Sequence, residues 1–154
     1  AGAVIPITTN ALETSRLKAL VHRAIEEQIP VSWIPGPTAL IGGLVLSGLP
    51  MERFVFEGFL PTKSGQRRQR LEALRDEGRT VILYESPHRL LKTLREIHDV
   101  LGDVTVSCAR ELTKMFEEVQ RGKVSELLTH FEKRSPRGEF VLVFIPHPAP
   151  RTPQ

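Results

Sequence analysis

Cysteine is almost absent from this chain, and that scarcity is the first constraint on what it can be. Cys108 stands alone among 154 residues, so no internal disulfide can form and no cysteine-rich metal site can be built. A lone thiol fits a reducing compartment, which makes the cytoplasm the expected location. Long apolar runs are missing too. None reaches the length that crosses a bilayer, and the opening AGAVIPITTN lacks the charged-then-apolar pattern of a secretory signal. That opening also lacks a methionine, which predicts a processed or truncated chain. The five histidines, His22, His88, His98, His130 and His147, show no paired metal-ligand spacing, so no metal is expected. The sequence contains no P-loop, GxGxxG, GxSxG or HExxH pattern, no internal repeat, and no low-complexity block apart from its proline-rich end.

What is present describes a soluble globular protein, with 40% apolar and 25% charged residues. The length suits one domain, or one compact domain plus part of another. The chain centres on Thr80–Leu94, TVILYESPHRLLKTL. Thr80–Tyr84 is a β-branched apolar run that stops abruptly and predicts an interior strand. Ser86 suits a helix N-cap and Pro87 the first helical position, with Leu90, Leu91, Leu94, Ile97 and Leu101 forming one stripe. Tyr84, Glu85, His88 and Arg89 are thereby crowded at a strand's carboxyl end, where open α/β sheets bind ligands. A well-capped, solvated corner would give the same pattern.

Ahead of this stretch, Thr14–Glu27 predicts an amphipathic helix bearing Leu17, Leu20, Val21, Ala24 and Ile25, and Val31–Ile34 a short strand. After the Pro35-Gly36-Pro37-Thr38 turn, Ala39–Leu46 is apolar on nearly every side and predicts a buried helix. Gly42 and Gly43 there imply close packing, and Gly48 a left-handed end. In FVFEGF the alternation of Phe54, Phe56 and Phe59 with Val55 and Glu57 suggests one buried face, with a bulge or a close-approach site at Gly58. The helix over Arg67–Glu77 then implies a right-handed parallel crossover to Thr80. Beyond it, Val104–Ala109 and Phe140–Ile145 predict further buried strands, Lys123–Glu132 a helix, and Phe116–Gln120 a strand or an irregular edge. Prolines from Pro146 on forbid regular structure.

Two clusters carry candidate chemistry. Lys63, Arg67, Arg68 and Arg70 could place several cations on one face for nucleic-acid phosphates, or could simply be a solvated face. No aromatic residue interleaves them, so base stacking is not suggested. The loops at Glu85–Arg89 and Arg110–Lys114 each combine acid and base. Neighbouring strands would bring Glu85, Arg89, Arg110, Glu111 and Lys114 to one sheet edge, either to orient a polar substrate or as a surface ion-pair network.

WIPGPTALIGGLVLSGLP, FVFEGFLPTKSGQRRQRLEAL, VILYESPHRLLKTL, ARELTKMFEEVQRG and GEFVLVF, in that order, resemble the ribosomal RNA small subunit methyltransferase I family. That family is one of the tetrapyrrole-methylase-like methyltransferases. The resemblance covers roughly Leu20–Ile145, and YESPHRL and ARELTK are its specific motifs. It implies an α/β fold with a mixed, mostly parallel sheet flanked by helices. Residues 1–50 would end a first, cofactor-binding domain, residues 51–145 would form the second, and 146–154 a flexible tail. It implies an N-terminally truncated fragment, because the family's upstream glycine-rich turn and most of its Asp-Ala-Gly loop have no counterpart here.

The activity implied is S-adenosylmethionine-dependent 2′-O-methylation of a cytidine ribose in small-subunit ribosomal RNA, by a homodimer and without metal. By the same resemblance, Pro35, Thr38 and Ala39 would hold the cofactor, with Tyr84, Ala109 and Phe140 lining its adenine side. Glu85, Arg110, Glu111 and Lys114 would face the reacting ribose. Arg89, with Lys63, Arg67, Arg68 and Arg70, would contact the RNA. Which of Glu85, Glu111 or Lys114 takes the proton is left open. A methylase of a tetrapyrrole or another small molecule, or a non-catalytic RNA-binding or dimerisation fragment, shares most of these features.

Overall fold

The computed structural model describes residues 11–32 and 36–146. The chain divides into two compact units, Ala1–Gly36 and Pro37–Gln154. In the first, α1 (Ala11–Glu26) is the described element. Its apolar side is less buried than its periodicity predicts, since Leu20 and Ile25 are exposed. Val31 and Ser32 form no strand, and the rest of the strand predicted at 31–34 lies outside the described residues, as do Pro35 and residues 147–154.

The second unit is built on a five-stranded sheet of order β1-β2-β5-β3-β4. Its elements are α2 (Ala39–Ser47), β1 (Phe54–Phe59), α3 (Ser64–Ala73), β2 (Thr80–Glu85), α4 (Leu90–Leu101), β3 (Thr105–Arg110), β4 (Glu118–Lys123), α5 (Val124–Lys133) and β5 (Phe140–Phe144). β1 and β2 are parallel across the α3 crossover, as predicted. The other three pairings are antiparallel, so the sheet is mixed but mostly antiparallel, which corrects the mostly parallel expectation. The reason is connection length. A parallel return needs a dozen or more residues, whereas β3 reaches β4 through the short Glu111–Glu117 link. β5 then inserts between β2 and β3, running against both.

The continuous apolar runs are central, as expected: β5 is buried throughout, and β2 and β3 nearly so. Alternation assigns their side chains to two layers. Val81 and Leu83, Val106 and Cys108, and Phe140, Leu142 and Phe144 pack beneath α3, α4 and α5 with Leu90, Leu94, Ile97, Leu127 and Phe131. Ile82, Ala109, Val141 and Val143 face the other way, against Leu44 of α2. α4 begins at Leu90 rather than Pro87, because Ser86 C=O accepts from the Arg89 and Leu90 N–H groups in a lead-in turn.

α2 is half-buried rather than buried. Gly43, Leu44 and Ser47 face the sheet, while Ile41 and Val45 are exposed. Gly43 is needed for close approach, since a Cβ there would lie 2.5 Å from Val141 Cγ1. Gly48, at φ +73°, ends the helix in the left-handed conformation, and Arg121 Nε on β4 donates to the last-turn carbonyl of Leu46 at 2.9 Å. α2 packs mainly on β3 and β5, less on β2 and β4, and leaves the edge strand β1 largely uncovered. The aromatic face of FVFEGF is therefore left 36–46% exposed at Phe54, Phe56 and Phe59, against the expectation of burial. Of the two readings of Gly58, the bulge is the one present, as a register shift.

Candidate functional site at the strand ends

β1, β2 and β3 run the same way, with β5 opposed between the last two, so Phe59, Glu85 and Arg110 come to one end of the sheet beside the start of β5. The register makes this concrete. Phe59 pairs with Tyr84, and Val141 lies between Tyr84 and Ala109. One residue further, Phe140 lies between Glu85 and Arg110. Consecutive residues of a strand face opposite sides, and that rule divides the expected site in two.

The α2 face gathers Thr38, Ala39, Tyr84 and Ala109. Leu40 N–H at the start of α2 donates to the Tyr84 hydroxyl at 3.1 Å. Burial raises the Tyr84 pKa, opposed by hydrogen bonds from Leu40 N–H and the Thr38 side chain. Phe56 and Phe59 meet the Tyr84 ring edge-on, with centroids 5.0 and 5.7 Å away. An apolar, aromatic shelf thus ends at the N-terminus of a helix, where the Tyr84 hydroxyl takes up the Leu40 N–H and the helix dipole favours polar or anionic atoms. Leu112 closes over the same face, within 3.4 Å of where a Gly42 Cβ would be. Phe140 does not belong to this set. Its ring is buried on the opposite face against Phe131 of α5, which corrects its expected place beside the adenine.

Glu85 is also on that opposite face, 1% exposed. Its carboxylate accepts from Ser86 N–H at 2.8 Å and from Thr93 Oγ1 at 2.7 Å, with Arg89 Nε 3.4 Å away. A buried, paired carboxylate with these donors anchors α4 to β2, and no substrate hydroxyl reaches it. The expected catalytic role is corrected to a structural one. Arg89 turns inward as well, donating to Leu60 O at 2.8 Å and Pro61 O at 3.2 Å, so it clamps the β1–α3 loop, which corrects its expected RNA contact to a structural one.

The basic cluster on α3 is largely neutralised. Arg67, 1% exposed, ion-pairs with Glu96 and donates to Pro61 O and Thr62 O at 3.1 and 2.9 Å. Its hydrogen bond to Glu96 raises the guanidinium's pKa and lowers the carboxyl's. Arg70 makes a two-pronged pair with Glu57, both contacts 2.7 Å. Arg68 and Lys63 remain exposed, Arg68 beside Glu72 at 3.3 Å. Burial and Glu96 therefore hold Arg67 in the fold, which corrects its expected contact with an RNA phosphate.

The Arg110–Lys114 loop is shaped by two residues in the left-handed region, Glu111 at φ +49° and Thr113 at φ +67°, a conformation that costs of order 1 kcal/mol or more and clusters at functional sites. Arg110 lies on the helix-layer face and pairs with Glu118 at 2.6 Å, which in turn lies 3.6 Å from His130. Glu111 accepts from Lys114 Nζ at 3.1 Å and from Glu139 N–H at 3.2 Å. Lys114 and then that backbone donor hold its carboxyl below the usual range. Gly138, at φ +81°, lies so tightly against this carboxylate that no Cβ would fit. Glu111 and Lys114 are thus the two expected catalytic groups at the open end. The sequence reading missed Phe56, Phe59 and Leu112 as parts of the shelf; the FxFxxF spacing of β1 could have suggested the first two. Among the described residues no group of three or more His, Cys, Asp or Glu is placed to hold a metal ion, and no helix is long and apolar enough to cross a membrane.

An aromatic shelf at the strand ends, beside a helix N-terminus, lies where open α/β sheets bind ligands. The chain belongs to the tetrapyrrole (corrin/porphyrin) methylase family, whose model matches residues 11–128. Within it, the resemblance to ribosomal RNA small subunit methyltransferase I holds. The chain is 48% identical over 124 residues to the protein of that name from Thermotoga maritima, covering 80% of this chain and 55% of that one. It is 50% identical over 125 residues to the one from Synechocystis, covering 80% and 45%. The chain thus spans about half the length of the curated relatives it matches. Among solved structures, cobalt precorrin-4 methyltransferase, a cobalamin biosynthetic enzyme, matches with a TM-score of 0.62 at 14% identity, covering 88% of this chain and 61% of that one. A uroporphyrin-III C-methyltransferase from Thermus thermophilus matches at 0.54 with 20% identity, covering 83% and 57%. At such identities these structures share the fold.

Proposed function

We propose that this chain is the substrate-facing half of an S-adenosylmethionine-dependent methyltransferase that modifies a cytidine ribose 2′-hydroxyl in small-subunit ribosomal RNA. The observation that carries this reading is the 48–50% identity, over 80% of the chain, to proteins named for that RNA. Residues 1–50 are read as the end of a cofactor-binding domain, 51–145 as the second domain, and the assembly as a cytoplasmic homodimer.

The described residues fit the cofactor. Phe56, Phe59 and Tyr84 offer aromatic surface to a base, and Thr38 and Ala39 open the α2 N-terminus toward polar groups. When bound, the cofactor supplies a methyl group on a sulfonium, already electrophilic. What remains for the protein is to hold the ribose oxygen in line and accept one proton. Glu111, kept ionised by Lys114, is the acceptor this reading assigns, with Lys114 orienting it and Arg110 fixing the base of the loop through Glu118. Lys63 and Arg68 contribute RNA contacts.

Calorimetric titration tests the cofactor half. S-adenosylhomocysteine should bind the chain extended to the full length of its relatives, and Tyr84→Ala should weaken that binding at least tenfold. Unchanged affinity in Tyr84→Ala would remove the shelf from the site.

A further inference from the structure

The end of α5 and the turn into β5 carry three cations in Lys133-Arg134-Ser135-Pro136-Arg137. Every arginine of the α3 cluster has a carboxylate partner. Lys133, Arg134 and Arg137 are all exposed and form no ion pair among the described residues. Part of their placement has a local explanation: Lys133 and Arg134 end α5, where cations complement the helix dipole. Arg137 has no such explanation, lying past the helix in the turn.

Where the turn is fixed is the stronger observation. Glu111 N–H donates to Glu139 O at 3.3 Å, Glu139 N–H returns a bond to Glu111 Oε1, and the same carboxylate fills the space a side chain at Gly138 would need. Arg110 Nη1 reaches the Arg137 carbonyl at 3.4 Å. The basic turn is therefore stitched to the loop that carries Glu111 and Lys114, at the same end of the sheet. A shallow hollow of about 410 Å³ opens beside it, lined by Glu126, Thr129, His130, Lys133 and Arg134. Exposed cations fixed next to an active loop suit a polyanion whose backbone must be placed while one of its sugars reacts.

We infer that Lys133, Arg134 and Arg137 bind the phosphodiester backbone of the RNA substrate next to the reacting nucleotide. This rests on the function proposed above. The turn, and not the α3 arginines, is then the main electrostatic anchor for RNA.

The test uses the protein at its relatives' full length and a small-subunit ribosomal RNA transcript, with affinity measured across a salt series. Each phosphate contact contributes roughly 0.7 to 0.9 to the slope of log affinity on log salt. The triple variant Lys133→Gln, Arg134→Gln, Arg137→Gln should make that slope shallower by about two units. A matched triple at the other end of the sheet, Arg53→Gln, Arg79→Gln, Lys123→Gln, should leave it unchanged. Replacing Arg134 and Arg137 by Lys should restore the parent slope, which a folding defect would not do. Equal slopes for the parent and the turn variant, in a protein that binds and methylates the RNA, would overturn the basic turn alone. A parent protein with no salt-dependent RNA binding would overturn both this inference and the function beneath it.

Discussion

At the scale of single residues, Arg67 and Arg68 show how two adjacent arginines come to do different work. Arg67→Ala would leave Glu96 and the carbonyls of Pro61 and Thr62 without their donor. Breaking a buried pair in this way costs about 3 kcal/mol, whereas Arg68→Ala, beside an exposed Glu72, should change stability by less than about 0.5 kcal/mol. Urea denaturation of the two variants makes the comparison; equal losses would contradict it. The distinction was legible. Arg67, Leu71 and Leu74 stand at i, i+4 and i+7, so the arginine lies on the helix's only apolar stripe. Glu85 and Phe140 were legible by the same logic, since each is a strand neighbour of a residue on the other face, Tyr84 and Val141.

Glu96 also sets a pH dependence. The Arg67 hydrogen bond depresses its folded-state pKa, so the folded protein holds this carboxylate ionised where the unfolded chain would protonate it. The resulting stability is fully present above the unfolded value of about 4.3 and is lost as pH falls through the lower folded value. Denaturation midpoints between pH 7 and pH 2 should fall more steeply for the parent than for Glu96→Gln. Parallel curves would show that the pair contributes nothing to acid stability.

Among elements, α2 is the one whose fit to the sheet is most specific. Gly43→Ala places a methyl 2.5 Å from Val141 Cγ1 and should cost about 1–3 kcal/mol through overpacking. Gly65→Ala on α3 meets nothing within 4 Å and should gain about 0.5–1 kcal/mol from helix propensity. Thermal melts that ranked the two the other way would mean that α2 stands off the sheet. The periodicities of α4, α5 and the three apolar strands placed these elements correctly from sequence. Strand direction was not legible, because apolar runs record burial on both faces and not the sense of the neighbour. Only the short Glu111–Glu117 link carried that information, and the strand after it lacks an apolar run to announce itself.

For the whole molecule, the apolar surface left uncovered is the main feature. Ile41 and Val45 on α2 are exposed apolar residues outside the shelf formed by Phe56, Phe59 and Tyr84, surface of the kind a partner covers. The proposed dimer predicts that the chain at its relatives' full length sediments as a dimer at micromolar concentration. A monomer under those conditions would contradict that assembly.

The central claim is methyl transfer to a ribose of small-subunit RNA, and one measurement reads it directly. The protein at its relatives' full length is incubated with methyl-tritiated S-adenosylmethionine and small-subunit ribosomal RNA, with uroporphyrinogen in a parallel reaction, and the labelled RNA is then hydrolysed in alkali. Alkaline cleavage needs a free 2′-hydroxyl, so a 2′-O-methyl nucleotide survives as an uncleaved dinucleotide. The account predicts tritium in that alkali-resistant dinucleotide, with cytidine at its 5′ position, reduced at least a hundredfold by Glu111→Ala, and none in the tetrapyrrole. Label in alkali-sensitive mononucleotides, or in the tetrapyrrole alone, would contradict it.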